Sequence, residues 1–241
     1  LFSIFHLHGQ LLTLPSTINP KQWAGTRVGV TDISIHWNAP GVKGREGKIW
    51  GTPVAHYGYA NLGFGTATAS PWRAGADECT RMSFSTDVFI EGKHLAAGNY
   101  GLFMLLEPDS CTLIFSKNPD GWGTYFYKPE QDVLRVTVRQ QKNQPHNVEW
   151  LTYVFSAPTE RSVLVALEWE RWRIPFTVSV DLEASTVASL QRQLSGEMGF
   201  DPPSLATAAS WCLNHNVNLE EALVWANRAT DPGFGNNQNF T

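Results

Sequence analysis

The sequence predicts a mainly β protein, an antiparallel β-sandwich or jelly roll with a C-terminal α-helical appendage. Two observations predict it. Between residues 27 and 181, apolar side chains recur at every second position in roughly nine short runs separated by Gly, Pro, Asn and Asp. Beyond Asp181 the apolar spacing becomes that of amphipathic helices, and no helical stretch interrupts the strands before it, which excludes an α/β arrangement. The expected divisions are an arm over residues 1–26, a sandwich over 27–181 and a helical segment over 182–241.

The arm mixes apolar clusters with Gly9, Pro15 and Pro20, as a segment laid over a surface would. His6 and His8 have the spacing that puts two imidazoles on one strand face, but no third ligand stands near them, so no metal is expected. Val28 and Val30 alternate in one phase, and Ile33, Ile35 and Trp37 in the other, which puts a bulge or tight turn at Thr31-Asp32. The Gly-rich stretch after Trp37 reads as loop as far as Ser70 and carries His56, Tyr57 and Tyr59.

Residues 71–117 organise the domain. Met82, Phe84, Val88 and Ile90 fall on one parity while Arg81, Ser83, Ser85 and Asp87 fall on the other, as one half-buried strand requires. Glu91-Gly92 and Ala97-Gly98-Asn99 supply turns, and residues 101–106 are apolar on both parities, as in a strand covered on both faces. Further rows follow at Leu134, Val136 and Val138, at Leu151, Tyr153 and Phe155, at Val163, Val165, Leu167 and Trp169, and at Phe176, Val178 and Val180. In the tail, Ser185 caps a helix running toward Met198, and Pro202-Pro203-Ser204 opens a second reaching Asn214. Asn218 and Glu221 form the cap and N3 pair of a third, ending near Ala229. The last two make a hairpin in which Leu205, Ala208, Ala209 and Cys212 face Leu219, Ala222, Leu223 and Ala226, and the final stretch reads as loop.

Composition narrows the function classes. The net charge of −4 gives no electrostatic reason to expect nucleic acid, whose phosphates need clustered Lys and Arg. With 42% apolar and 17% charged residues the chain is far from disordered composition, and no run of eighteen apolar residues offers a transmembrane span. Cys79, Cys111 and Cys212 lack metal or redox spacing; they read as small core residues, with a bridge between Cys79 and Cys111 open in an oxidising compartment. The opening LFSIFHLHGQLLTLP lacks the basic start of a signal peptide and reads as a mature or trimmed terminus.

Five segments in order, GVKGR at 41–45, WRAGADECT at 72–80, FSTDV at 84–88, AAGNYGLF at 96–103 and VEWLTYVF at 148–155, resemble the domain family of unknown function numbered 2911. The resemblance spans residues 27–181, and NVNLEEALVWANRA at 216–229 resembles the tetratricopeptide-like piece that follows the domain in that family. It implies an exported, bacterial-type envelope protein, periplasmic or extracellular, and it implies no reaction. His36-Trp37 stands where a Tyr-Ser pair is usual, Asp77 replaces an Asn, and the loop between Gly51 and Pro71 is longer and lacks the PYGKVW run. These departures surround one charged loop, so any ligand shared by the family would be bound differently here or lost.

That loop, WRAGADE, sets Trp72, Arg73, Asp77 and Glu78 just before a strand. An aromatic plane, a guanidinium fork and two carboxylates suit a carboxylate, sugar or peptide ligand. The competing reading is an ion pair of Arg73 with Glu78 that pins the loop, with Trp72 covering the core edge. Lys117, ahead of PDGWGTYFY, begins a second polar and aromatic loop in which Trp122 either stacks on a sugar or lids the core. Lys43, Arg45 and Lys48 read as a solvated loop tip. No GxSxG elbow, HExxH, P-loop or dinucleotide glycine run occurs, so neither a catalytic residue nor a cofactor is expected. Asn239 heads a glycosylation sequon that matters only in a eukaryotic secretory setting. The expected function is a non-enzymatic accessory subunit of an envelope assembly with a protein partner. The alternatives are a carbohydrate- or peptide-binding protein using the loop at 72–78, and a hydrolase of unassigned class.

Overall fold

A computed structural model describes residues 18–233. The arm before residue 18, with His6 and His8, and the sequon at Asn239 lie outside the described residues.

The described residues are mainly β, with two antiparallel sheets and, toward the C-terminal end, three α-helices. In order, the strands are β1 (Lys21–Val28), β2 (Thr31–Asn38), β3 (Ala76–Phe84), β4 (Val88–Ile90), β5 (Lys93–Leu95), β6 (Gly98–Leu106), β7 (Ser110–Ser116), β8 (Asp132–Arg139), β9 (Val148–Ser156), β10 (Ser162–Glu170) and β11 (Trp172–Ser179). One sheet runs β1-β2-β3-β6-β7-β8 and the other β5-β4-β11-β10-β9.

The two sheets share one buried core. Ile33, Ile35, Met82, Leu102, Met104 and Phe115 from the first meet Val163, Val165, Leu167, Trp169, Ile174, Phe176 and Val178 from the second. Each set lies on alternate positions of its strand, so burial follows from the two-residue period. Trp37 of β2 donates its indole N–H to the Leu151 carbonyl of β9 at 2.9 Å and so ties one sheet to the other. At one end Trp72 packs edge-on against Trp50 and face to face with Trp169, with ring centroids 5.7 and 6.3 Å apart.

Several elements differ from the sequence expectation. The first strand begins at Lys21, inside the predicted arm, and pairs along its whole length with β2. Its inward positions Gln22, Ala24 and Thr26 are only half buried, so the alternation that marks a strand is faint there. The turn joining it to β2 is Gly29-Val30, with Gly29 at φ +56°, and not Thr31-Asp32.

The continuous apolar parity at 82–90 conceals a corner. After Phe84 the chain leaves the first sheet through Ser85-Thr86-Asp87 and enters the second as β4. Asp87 holds this corner, accepting from the Ala97 N–H at 2.9 Å and facing the His94 ring at 2.8 Å; the Ala97 amide, then His94, pull its carboxyl below the usual range.

The helices are α1 (Leu182–Leu194), α2 (Pro202–His215) and α3 (Leu219–Thr230). Asp181, not Ser185, caps α1, accepting from the Ala184 N–H at 2.9 Å, and Asp201 caps α2 in the same way. Asn218 is the N-cap of α3, left-handed at φ +50°, and its side chain donates to Glu221 at 2.8 Å, so the expected pair forms, but the Asn218 side chain caps no backbone N–H. In the hairpin, Ala222, Trp225, Ala226 and Ala229 turn toward Leu205, Ala208, Ala209 and Cys212. Leu219 and Leu223, expected in the seam, are exposed, because the buried stripe of α3 follows the i, i+3, i+4, i+7 rule from Ala222 and not from Leu219. The tail is fastened to the β body by Arg161, which pairs with Glu183 of α1, and by Leu182 lying against Gly29. Among the described residues no helix is long and apolar enough to cross a membrane.

Candidate functional site

The six-stranded sheet has an inner face in the core and an outer face that divides in two. Over β6, β7 and β8, residues 60–70 and 117–131 cover a second small cluster of Ala67, Cys79, Phe103, Ile114 and Tyr127. Thr66 and Ala67 both donate to the Tyr125 carbonyl, at 2.9 and 3.0 Å, and join these loops to each other. Tyr127 donates to Asp132 at 2.6 Å and accepts from Arg135 at 2.9 Å, and Arg135 also donates to Tyr59 at 2.9 Å. Over β1, β2 and β3 none of the described residues covers the outer face. There lies a cleft of about 720 Å³, floored by strand residues and walled by residues 119–122.

Register builds the floor. Ser34 and His36 alternate with core Ile33 and Ile35, and Arg81 and Ser83 alternate with core Met82 and Phe84. Cross-strand pairing lines Trp23, His36, Arg81 and Gly101 in one row across four strands. Trp23 and His36 stack with ring centroids 6.4 Å apart and planes 23° apart, and Trp23 stays 71% exposed.

Gly101 ends the row because the wall rests on it. A methyl there would lie 2.6 Å from the Asn118 carbonyl oxygen and 2.9 Å from Cys79 Sγ, so only glycine lets the loop lie against the sheet. The Cys79 N–H donates to the Gly121 carbonyl at 3.0 Å and fixes the wall from below. Trp122 stands on this wall, 55% exposed.

The charges in the cleft come in opposed pairs. Lys21 Nζ is 2.8 Å from Glu78 Oε1, and Arg81 Nη1 is 3.6 Å from Asp120 Oδ1. Cys79 borders the cleft, but burial pushes its thiol up to about 12, so it remains protonated and unreactive at neutral pH. Cys79 lies on the outer side of the sheet and Cys111 in the main core; both are free thiols.

The six sequence candidates are dispersed. Glu78 and Trp122 line the cleft. Trp72 is 3% exposed within the core. Arg73 makes no pair with Glu78; it donates to the Asp77 carbonyl at 3.0 Å, and its guanidinium lies 4.9 Å from the Tyr125 ring centroid. Asp77 accepts from the Asn19 side chain at 3.2 Å. Lys117 is exposed at the foot of the loop, outside the cleft lining. The cleft thus lies on the flank of a sheet and takes from residues 72–78 only Glu78. Lys21, Trp23, His36, Arg81 and Asp120 were not among the candidates. The signal for His36 and Arg81 was their outward parity between core residues, and for Asp120 its place beside Trp122. Among the described residues no group of three or more His, Cys, Asp or Glu is arranged to hold a metal ion.

The profile of the family described as a protein of unknown function (DUF2911) matches residues 19–178. No curated protein and no solved structure matches the chain. The family match starts just before β1 and ends within β11, so it takes in both sheets and the whole cleft. The chain belongs to the DUF2911 family.

Proposed function

We propose that this protein is a non-enzymatic carbohydrate-binding module whose ligand lies across the outer face of β1, β2 and β3 in the six-stranded sheet. The observation that carries the reading is Trp122, a large exposed aromatic held on a braced wall above a polar floor. Sugar rings offer an apolar C–H face to an aromatic plane and hydroxyls to charged and amide groups around it. Trp23, His36 and Arg81 extend such a surface along the floor. Of the two carboxylates bordering the cleft, Asp120 is exposed and Glu78 half-buried, and both stand beside cations, whereas a glycosidase acid is kept neutral by burial. The frame fits a β-sandwich of jelly-roll type, since both sheets contribute to one core.

Screening the protein against an array of immobilised oligosaccharides, beside a Trp122→Ala variant, tests the reading. Binding by the parent that the variant loses, with unchanged melting, supports it. Binding to no glycan, or retention by the variant, removes it.

The proposal extends to an extracytoplasmic setting, supported by the export that the family resemblance implies. A second reading, the accessory subunit, is favoured by one observation: Leu213, Leu219 and Leu223 stay exposed beside an alanine-floored groove between α2 and α3 in the tetratricopeptide-like tail. The occupant it calls for is an amphipathic helix of a partner protein, because small residues between antiparallel helices admit a third at close range. A stoichiometric partner in native purification that Leu223→Asp releases would support it; a chain purified alone would end it.

A further inference from the structure

We propose that the ligand of the cleft is an uncharged glycan whose neighbouring hydroxyls bridge Arg81 and Asp120, an inference that rests on the carbohydrate-binding reading above. Each Lys or Arg in the cleft lining already stands beside a carboxylate: Lys21 beside Glu78, and Arg81 beside Asp120. An acidic sugar would have to displace a carboxylate from its cation or lie next to it, and either costs Coulomb energy that the new contact must recover. A neutral polyol meets no such cost.

The spacing of the second pair fits this chemistry. At 3.6 Å the Arg81 guanidinium and the Asp120 carboxylate are too far apart for a hydrogen bond, and Asp120 is 80% exposed. A donor and an acceptor set side by side and not joined are the complement of two adjacent hydroxyls, one accepting from Arg81 and the other donating to Asp120. Trp122 stands beside Asp120 on the same wall, placed to cover the apolar face of the same ring. Ser34 and Ser83 add neutral donors and acceptors on the floor.

Titration calorimetry of the full chain with neutral oligosaccharides, cellohexaose and xylohexaose, and with an acidic one, hexagalacturonate, decides the matter. A neutral probe should bind with an affinity that hardly changes over about a tenfold range of salt, as expected without net charge pairing. Asp120→Asn should weaken that binding about tenfold, the worth of one hydrogen bond to a charged group. Because Asp120 is so exposed, melting should not move. Arg81→Gln should weaken it similarly. Binding of hexagalacturonate that salt suppresses and Asp120→Asn strengthens would overturn the inference and leave carbohydrate binding standing. Binding of none of the three probes would overturn both.

Discussion

The Arg73 guanidinium fills the space that a side chain at residue 123 would occupy: a methyl on Gly123 would lie 2.6 Å from Arg73 Nη1. Arg73 thereby joins the turn at 72–78 to the wall that carries Trp122, with its guanidinium carbon 4.9 Å from the Tyr125 ring centroid. It touches the wall and does not line the cleft. Arg73→Ala should cost about 1–2 kcal/mol, one cation–π contact and one hydrogen bond. The body should stay folded while amide exchange rises over residues 117–126 and glycan binding falls. Arg73→Lys should restore melting better than binding, because an ammonium keeps the charge near Tyr125 but lacks the broad guanidinium that fills the space at Gly123. Global unfolding of the Ala variant would show that the residue holds the fold itself.

Gly101→Ala tests the seat of the wall. Its methyl would meet a backbone oxygen at 2.6 Å, which no rotamer change relieves. We expect a loss of roughly 1–3 kcal/mol, the usual scale for overpacking. A shift in Trp122 emission should accompany it if the loop lifts from the sheet. Unchanged melting and emission would show that the loop yields freely.

Alkaline pH should destabilise the protein through groups buried in its core. Burial raises the Cys79 thiol from its ordinary 9.0 to about 12 and raises Cys111 further, and burial also raises the Tyr153 phenol. Below pH 9 these groups are protonated whether folded or not, and their contribution is fully present. Above it the unfolded chain releases thiol protons that the folded chain keeps, so stability falls as pH rises, by up to about 1.4 kcal/mol per pH unit for each group. Chemical denaturation midpoints should therefore drop between pH 9 and about 12, the folded value for Cys79. Cys111→Ala should flatten the slope. Thiol labelling of the native chain should be slow for both residues until it unfolds.

The clasp between the β body and the tail has its own signature. Arg161 hydrogen-bonds the Glu183 carboxylate and holds it down to about 2 from its ordinary 4.5. That contribution is present above 4.5 and is lost as pH falls toward 2. Carboxyl-carbon titration by NMR should find Glu183 low in the parent and back near its ordinary value in Arg161→Ala. An unmoved Glu183 would mean that the pair is not formed in solution.

The strands whose inward positions are large and apolar were legible in sequence, because alternation is what burial on one face produces. β1 was not, since Gln22, Ala24 and Thr26 give that face little apolar contrast. The corner at Ser85-Thr86-Asp87 was hidden because Phe84 and Val88 keep the same parity on either side of a change of sheet. Trp72 looked like a binding residue because its sequence neighbours are charged, yet two other tryptophans enclose it. The cleft was only half legible. Outward parity placed Arg81, but bringing Lys21, Arg81 and Asp120 together needs three distant segments and the register between strands.

The cluster beneath the covering loops is separate from the main interior. The wall's anchors, Phe103, Ile114 and Tyr127, therefore stand apart from the residues that seal the two sheets together. Exchange of residues 119–122 alone would redraw the mouth of the cleft while leaving intact the hydrophobic seal between the sheets, so the shape of this surface can change through one short graft without risking the fold.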